Sequence, residues 1–209
     1  MLETSNILFF KPVSTLSPTS RKVGKIEIKI QACAKKLRLR HVLRVRDFGK
    51  LLLRPIVPKD EEPMIRFHRA LSEETVYKRY FEHINLESRT RHDRLARICT
   101  NDDKSFALVA EYRETAEHPA AICAVGRLSK TGSCDAADFA ILVQDKAQGR
   151  GIGSALMKHL ITLARACSFK RLTAEVLVAN HEMLYVCRQF GFSLHTLAMD
   201  GLVQVSREL

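Results

Sequence analysis

Gln148-Gly149-Arg150-Gly151-Ile152-Gly153 follows the apolar run Phe139-Ala140-Ile141-Leu142-Val143 and opens an amphipathic stretch from Ser154 to Ala166. The order predicts a strand, a glycine-rich turn and a helix. The first amides of a helix have no intrahelical acceptor and the helix dipole adds partial positive charge there, so such a turn can seat an anion such as a pyrophosphate. Glycines at 149, 151 and 153 let the backbone approach that anion and accept angles closed to other residues.

Spacing separates three kinds of phosphate loop. A dinucleotide fingerprint starting at Gly149 needs glycine where Ser154 stands, and one starting at Gly151 needs it where Leu156 stands; no Gly-Lys-Ser/Thr triplet exists for a Walker loop. What remains is Q-x-x-G-x-G on Gln148, Gly151 and Gly153, which resembles the pyrophosphate motif of the GNAT superfamily of N-acetyltransferases. The competing reading of these six residues alone is an ordinary loop and helix start.

Outward from the loop, His41 to Arg46 and Leu51 to Ile56 read as strands around a turn at Asp47-Phe48-Gly49-Lys50, with Pro55 and Pro58 stopping the second. Met64, Phe67 and Leu71 recur at helical spacing, and Ser72 is placed to cap a second helix starting at Glu73-Glu74, so two short helices are expected before the main sheet. Leu95 to Ile98 reads as the end of a helical turn, broken by Asn101-Asp102-Asp103. Phe106 to Tyr112, Ala120 to Leu128 and Ala136 to Gln144 predict a three-strand antiparallel meander, with turns at Glu114 to Pro119 and Lys130 to Asp135. After the loop helix come a strand at Leu172 to Val178, a helix at His181 to Phe190 and strand-like segments at Phe192 to Leu197 and Leu202 to Val205.

This order resembles the GNAT fold over most of residues 50 to 209, and the expected class is α/β, with a mixed, mostly antiparallel central sheet flanked by helices. In that fold the strand before the loop splays from the next so that pantetheine lies between them. The resemblance therefore implies acetyl-CoA as cosubstrate, with Ile141, Leu142 and Val143 along the pantetheine arm and Gln148, Gly149, Arg150, Gly151, Ile152, Gly153 and Ser154 around the pyrophosphate. Asn180, with Met183, Val186 and Gly191-Phe192 behind it, resembles the family's N-x-x-M-x-x-L-x-x-x-x-G-F and implies a contact to the pantetheine side. A plain helix cap is an equally sound reading of Asn180.

Four upstream stretches are similar to bacterial Pat-type protein lysine acetyltransferases: Leu53-Arg54-Pro55-Ile56 with Pro58-Lys59-Asp60-Glu61, Leu71-Ser72-Glu73-Glu74, Lys78-Arg79-Tyr80-Phe81 and Ala137-Asp138-Phe139-Ala140. That likeness implies transfer to a protein lysine, with an acyl-CoA synthetase as a candidate acceptor protein. It also implies Asp138 as general base, where the family has glutamate. A lysine amine is mostly ammonium at neutral pH, so attack on a thioester needs a proton acceptor. Burial of a carboxylate in an apolar strand raises its pKa toward a useful range. Aspartate is one methylene shorter than glutamate, which points to a bridging water; the structural alternative is an ion pair with Arg127. Many GNAT enzymes protonate the leaving thiolate with a tyrosine seven positions after the asparagine, but here that position is Cys187, which receives no catalytic role.

Charge and composition bound the remaining choices. Residues 1–40 hold nine Lys/Arg against two Glu, so most of the net +11 belongs to a basic N-terminal extension, and residues 41–209 form the expected acetyltransferase domain. The extension reads as a solvated leader, an organellar transit peptide or a nucleic-acid arm; Lys25 to Ile30 alternates as a short strand would. The leader is favoured and nucleic acid disfavoured, because no nucleic-acid-binding motif follows. Six cysteines without a C-x-x-C pair suit a reducing, cytoplasmic setting, the histidines form no metal-ligand spacing, and no apolar run is long enough for a membrane span. The rival functions are a small-molecule amine acetyltransferase and a non-catalytic module binding CoA or nucleic acid.

Overall fold

The computed structural model describes residues 29–37, 39–45, 48–113, 117–132, 135–197 and 201–209. Residues 46 and 47, residues 114–116 and 133–134 of the two expected turns, residues 25–28 of the strand-like alternation read over Lys25 to Ile30, and the rest of the extension to residue 28 lie outside the described residues.

Among the described residues, eight strands form one open sheet in the order β1-β2-β3-β4-β5-β6-β8-β7: β1 His41–Val45, β2 Gly49–Pro55, β3 Ser105–Tyr112, β4 Ala121–Lys130, β5 Ala136–Val143, β6 Arg171–Leu177, β7 Ser193–Leu197 and β8 Leu202–Glu208. All neighbours are antiparallel except β5 and β6. The β1–β2 hairpin closes at Val45↔Gly49, where Gly49 takes φ +84°. Pro55 is the last residue of β2, where its missing N–H does least harm. The expected antiparallel meander of β3, β4 and β5 stands, its apolar runs buried by helices on both faces.

Helices cover both faces. On one, α6 (Ile152–Ala166) buries Ile152, Leu156, Met157, Leu160 and Leu163 against β4 and β5. Gly126 of β4 admits this close approach: a Cβ there would stand 3.3 Å from Leu156 and Leu160. On the other face a second apolar cluster joins Met64 and Phe67 of α2 (Glu61–Arg69), Val76 of α3 (Glu73–Tyr80) and Leu95 of α5 (His92–Ile98) to Ala107, Val109, Ile122 and Leu142 of the sheet. Ser72 caps α3 as expected, accepting a hydrogen bond from Thr75 N at 3.1 Å. The expected pair of early helices becomes four, because Asn85 caps a further short helix, α4 (Leu86–Thr90), and the turn seen at Leu95 extends into α5. The chain after β6 supplies α7 (His181–Gln189).

The boundary expected at residue 40 does not mark the edge of the packed unit. Ile30–Lys36 is a helix, α1, whose Ile30 and Ala34 are buried in the main core together with Leu39. Ile30, Cys33, Ala34 and Leu37 follow the i, i+3, i+4, i+7 spacing of an inward stripe, while Lys35 and Lys36 stay exposed in the last turn, where cations suit the dipole. The alternation read across Lys25 to Ile30 ends where this helix begins.

Candidate active site

β5 and β6 are paired at three positions, Ala136↔Arg171, Ala137↔Leu172 and Asp138↔Thr173, although β5 runs on to Val143 and β6 to Leu177. The strands part after Asp138 and leave a wedge between their carboxyl ends. The parallel pairing directs both ends to the same edge of the sheet, so the glycine loop after β5 and Asn180 after β6 flank one opening.

At the loop, Gly149 takes φ +69° and Gly151 φ +78°, and a Cβ at either would meet no other atom within 4 Å. The space in front of these glycines is open, and their angles strain any other residue. Gly151 caps α6, and Ala155 N donates to Gly151 O at 3.0 Å. That bond opens the helical ladder, so the amides of Ile152 to Ser154 precede it and belong to the orphan donors of a helix start. Helix-start amides at the positive end of a fifteen-residue helix can hold an anion. Ile152 is buried in the core and anchors the helix start. Arg150 turns back to donate to Lys146 O at 3.2 Å and lies over the Phe48 ring.

A polar lattice fixes the loop from below. Gln148 donates through Nε2 to Val143 O at 3.0 Å and to Thr75 Oγ1 at 3.1 Å, tying the loop to the end of β5 and to α3. Asp145 accepts from Ser72 N at 3.0 Å, from Ser72 Oγ and from Thr75 Oγ1 at 2.8 Å. Burial works against the ionised form of Asp145, but the hydrogen bonds from Ser72 and Thr75 win and hold its carboxyl below the usual range. Ser72 as a cap and Gln148 as a motif residue are legible in the sequence; their joint role in setting the loop against α3 links residues some seventy positions apart and leaves no local signal.

Asp138 lies at the last paired position before the wedge, and its neighbour across the fork, Thr173, donates a short hydrogen bond from Oγ1 to its carboxylate. Burial raises the Asp138 carboxyl above its ordinary pKa, with the Thr173 bond pulling the other way. The expected alternative, an ion pair with Arg127, does not form. Arg127 stands opposite Ala140 in the β4–β5 ladder, and its guanidinium donates to Ser105 Oγ at 2.6 Å and to Ile98 O. Among the described residues, no cation comes within ion-pair distance of Asp138.

Asn180 caps α7, its Oδ1 accepting from Met183 N at 3.2 Å. Ile141 and Leu142 are buried on opposite faces of β5, so what they and Val143 offer the wedge is backbone. Cys187 is fully buried, with burial pushing its thiol up to about 12, which suits packing and not proton transfer. Tyr185 of the same helix is exposed. The upstream Arg54, with Asp60 and Glu111, also serves structure: Arg54 bonds both Asp60 carboxylate oxygens at 2.7 Å and Glu111 from Nε at 2.7 Å, pinning β2 to β3 and to the start of α2. The described residues contain no metal-ligating cluster and no helix long and apolar enough to cross a membrane.

Comparison with known proteins agrees with this geometry. The family model described as acetyltransferase (GNAT) family matches residues 67–192. An acetyltransferase of Pseudomonas aeruginosa is 30% identical over 154 residues, covering 73% of this chain and 80% of that protein. Acetyltransferase Pat of Mycolicibacterium smegmatis is 31% identical over 150 residues, covering 71% of this chain and 43% of the relative, so this chain spans less than half of that protein. The crystal structure of the GNAT domain of S. lividans PAT superposes with a TM-score of 0.70 at 30% identity, covering 82% of this chain and 97% of that one.

Proposed function

Because the chain belongs to the acetyltransferase (GNAT) family, we propose that it moves an acetyl group from acetyl-CoA to the side-chain amine of a protein lysine, with Asp138 as general base. The observation that carries this reading is the position of Asp138: a carboxylate with a raised pKa, without a paired cation among the described residues, at the fork between β5 and β6. In the proposed complex the diphosphate sits on the amides of Gly149 to Ser154, and Gln148 keeps the loop seated against Val143. The pantetheine arm runs into the wedge along Ile141 to Val143, with Asn180 on its far side. The thioester then ends near Asp138.

The amine must lose a proton to attack the thioester carbonyl. Asp138 takes it, directly or through one water; the free amine then attacks, and the tetrahedral intermediate collapses as the C–S bond breaks and the nitrogen's second proton passes to the departing sulfur, so that CoA leaves as the thiol. Thr173 aims the carboxylate toward the fork and, by favouring the ionised form, keeps it available as a base. Nothing in this scheme needs a tyrosine on α7. The likeness to Pat acetyltransferases favours a protein lysine as acceptor, an acyl-CoA synthetase being the first candidate, and cysteines without a C-x-x-C pair favour a cytoplasmic setting. A non-catalytic CoA-binding module would have no use for a desolvated carboxylate at the fork.

Incubating the purified protein with labelled acetyl-CoA and a panel of an acyl-CoA synthetase, polyamines and amino acids tests the proposal. Label on a lysine of the protein acceptor is the expected result. Label confined to small amines would replace it with a small-molecule acetyltransferase, and no transfer at all would leave a binding module.

A further inference from the structure

On the face of β5 that carries Asp138, the side chains of Ala140 and Leu142 form the floor of a cavity of about 60 Å³, room for roughly four waters by the usual allowance of ~15 Å³ each. Its walls bring together residues distant in sequence: Met64, Phe67 and His68 from α2, Arg79 from α3 and Arg127 from β4. The apolar walls are ordinary core. The polar ones are not.

Arg79 and Arg127 are each partly buried, and among the described residues neither has a carboxylate within ion-pair distance. Arg127 is satisfied by a hydroxyl and a carbonyl, dipoles that leave its charge unneutralised. Burial, with the charge of Arg79 beside it, pushes Arg127 down to about 10, so it is still a cation at neutral pH. Tyr80, also on the cavity wall, is contacted by the guanidinium of Arg79 at 5.0 Å and of Arg94 at 5.1 Å. The carboxylate at hand, Glu73, is spent on Arg89 at 3.3 Å.

His68 supplies an independent sign. It is 1% exposed and lines the cavity, and neither ring nitrogen has a hydrogen-bond partner. Burial, then the charges of Arg94, Arg89 and Arg79, hold it neutral by pushing its pKa down to about 3. A neutral imidazole has one N–H to donate, and a buried donor left unmet costs about 1–3 kcal/mol. Cations and a neutral donor converging on a small, partly open space, without an acid among them, form a site built for an anion.

We propose that this cavity is a carboxylate subsite, in which an acid group carried by the acceptor is held between Arg79 and Arg127 and receives a hydrogen bond from His68. The placing of that acid on the acceptor rests on the acetyltransferase reading; the anion site itself does not. Ala140 is two residues from Asp138 on the same face of β5, about 7 Å along a strand, which is a distance that a lysine and a neighbouring acid can span together. The acceptor class is therefore an amine with a carboxylate a few bonds or one short turn away, such as a lysine beside an aspartate or glutamate.

Two measurements on the full chain test this. Sodium acetate is titrated at constant ionic strength against chloride, reading the His68 ring and arginine Nε resonances by NMR. Saturable shifts at His68 and Arg127 are expected with acetate, and Arg79→Gln, checked by its melting curve to be folded, should weaken them at least tenfold. Lysine peptides that differ by Asp or Asn beside the lysine are then compared as acceptors. A preference of tenfold or more in kcat/KM for the Asp peptide is expected, lost in Arg79→Gln and kept in Arg66→Gln, a change at an exposed arginine paired with Glu62. No saturable acetate effect in the wild-type protein overturns the site. Acetate binding without a peptide preference overturns its assignment to the acceptor and leaves a site for a free carboxylate. Absence of all turnover would sink the acetyltransferase reading while the acetate titration still decides the subsite.

Discussion

Replacing Gly151 by glutamate should remove most of the affinity for acetyl-CoA while leaving the fold in place. Gly151 is the cap of α6 at φ +78°, and a side chain there meets no atom within 4 Å, so the change creates no clash. Two costs remain. Holding an L-residue in the left-handed region costs roughly 1–2 kcal/mol, which appears in the melting temperature and is shared by Gly151→Ala. The carboxylate then projects into the space that the diphosphate must occupy: at ~6 Å and an effective dielectric of ~20, each phosphate charge adds about 3 kcal/mol of repulsion. Swinging the flexible side chain outward relieves part of this, so the dissociation constant should rise about ten- to a hundredfold. Isothermal titration of wild type, Gly151→Ala and Gly151→Glu separates the terms, because alanine shares the strain and lacks the charge. A folded Gly151→Glu protein that binds acetyl-CoA as wild type does would refute the placing of the diphosphate on this helix start.

Arg54→Leu should cost about 3–5 kcal/mol in urea unfolding, since it leaves the buried Asp60 and the partly buried Glu111 without their partner; a loss below 1 kcal/mol would show that solvent already screens them. Deleting residues 1–36 should lower the melting temperature because Ile30 and Ala34 leave the main core, and an unchanged melting curve would detach α1 from the domain. Asp138 has a folded pKa above its unfolded value, so its contribution to stability is fully present below the ordinary carboxylate pKa and is lost as pH rises through the folded one. Asp138→Asn should therefore melt no lower than wild type at pH 8, with the difference closing toward acid as Asp138 takes up its proton; a clear drop at pH 8 would mark Asp138 as a structural partner instead.

What the chain reveals in one dimension is set by how local each signal is. The loop and α6 are legible because glycine spacing and the apolar stripe from Ile152 to Leu163 act within a few turns, and Ser72 is legible because a cap needs only its own helix. The helix α1 is masked by its basic residues, which draw the eye to charge although Ile30, Cys33, Ala34 and Leu37 keep helical spacing. The short helix α4 carries Asn85 as a cap but no apolar stripe to announce it. Asp138 can be singled out as a charge in an apolar strand, yet Thr173 cannot, since a parallel register across the long α6 crossover has no trace in the sequence. The cavity is the extreme case: His68, Arg79 and Arg127 come from three elements, and their meeting depends on the whole second core.

The central claim, that Asp138 accepts the proton of the attacking amine, is tested most directly by single-turnover acetyl transfer from labelled acetyl-CoA at saturating acceptor, for wild type and Asp138→Asn between pH 6 and 9. The amide keeps the shape and the Thr173 contact but cannot take up the proton, so the rate should fall by roughly 10²- to 10⁴-fold. The acetyl-CoA dissociation constant should stay within about twofold of wild type, well inside the ~1.4 kcal/mol of a tenfold change. An Asp138→Asn protein that transfers acetyl groups at the wild-type rate across this range would contradict the account.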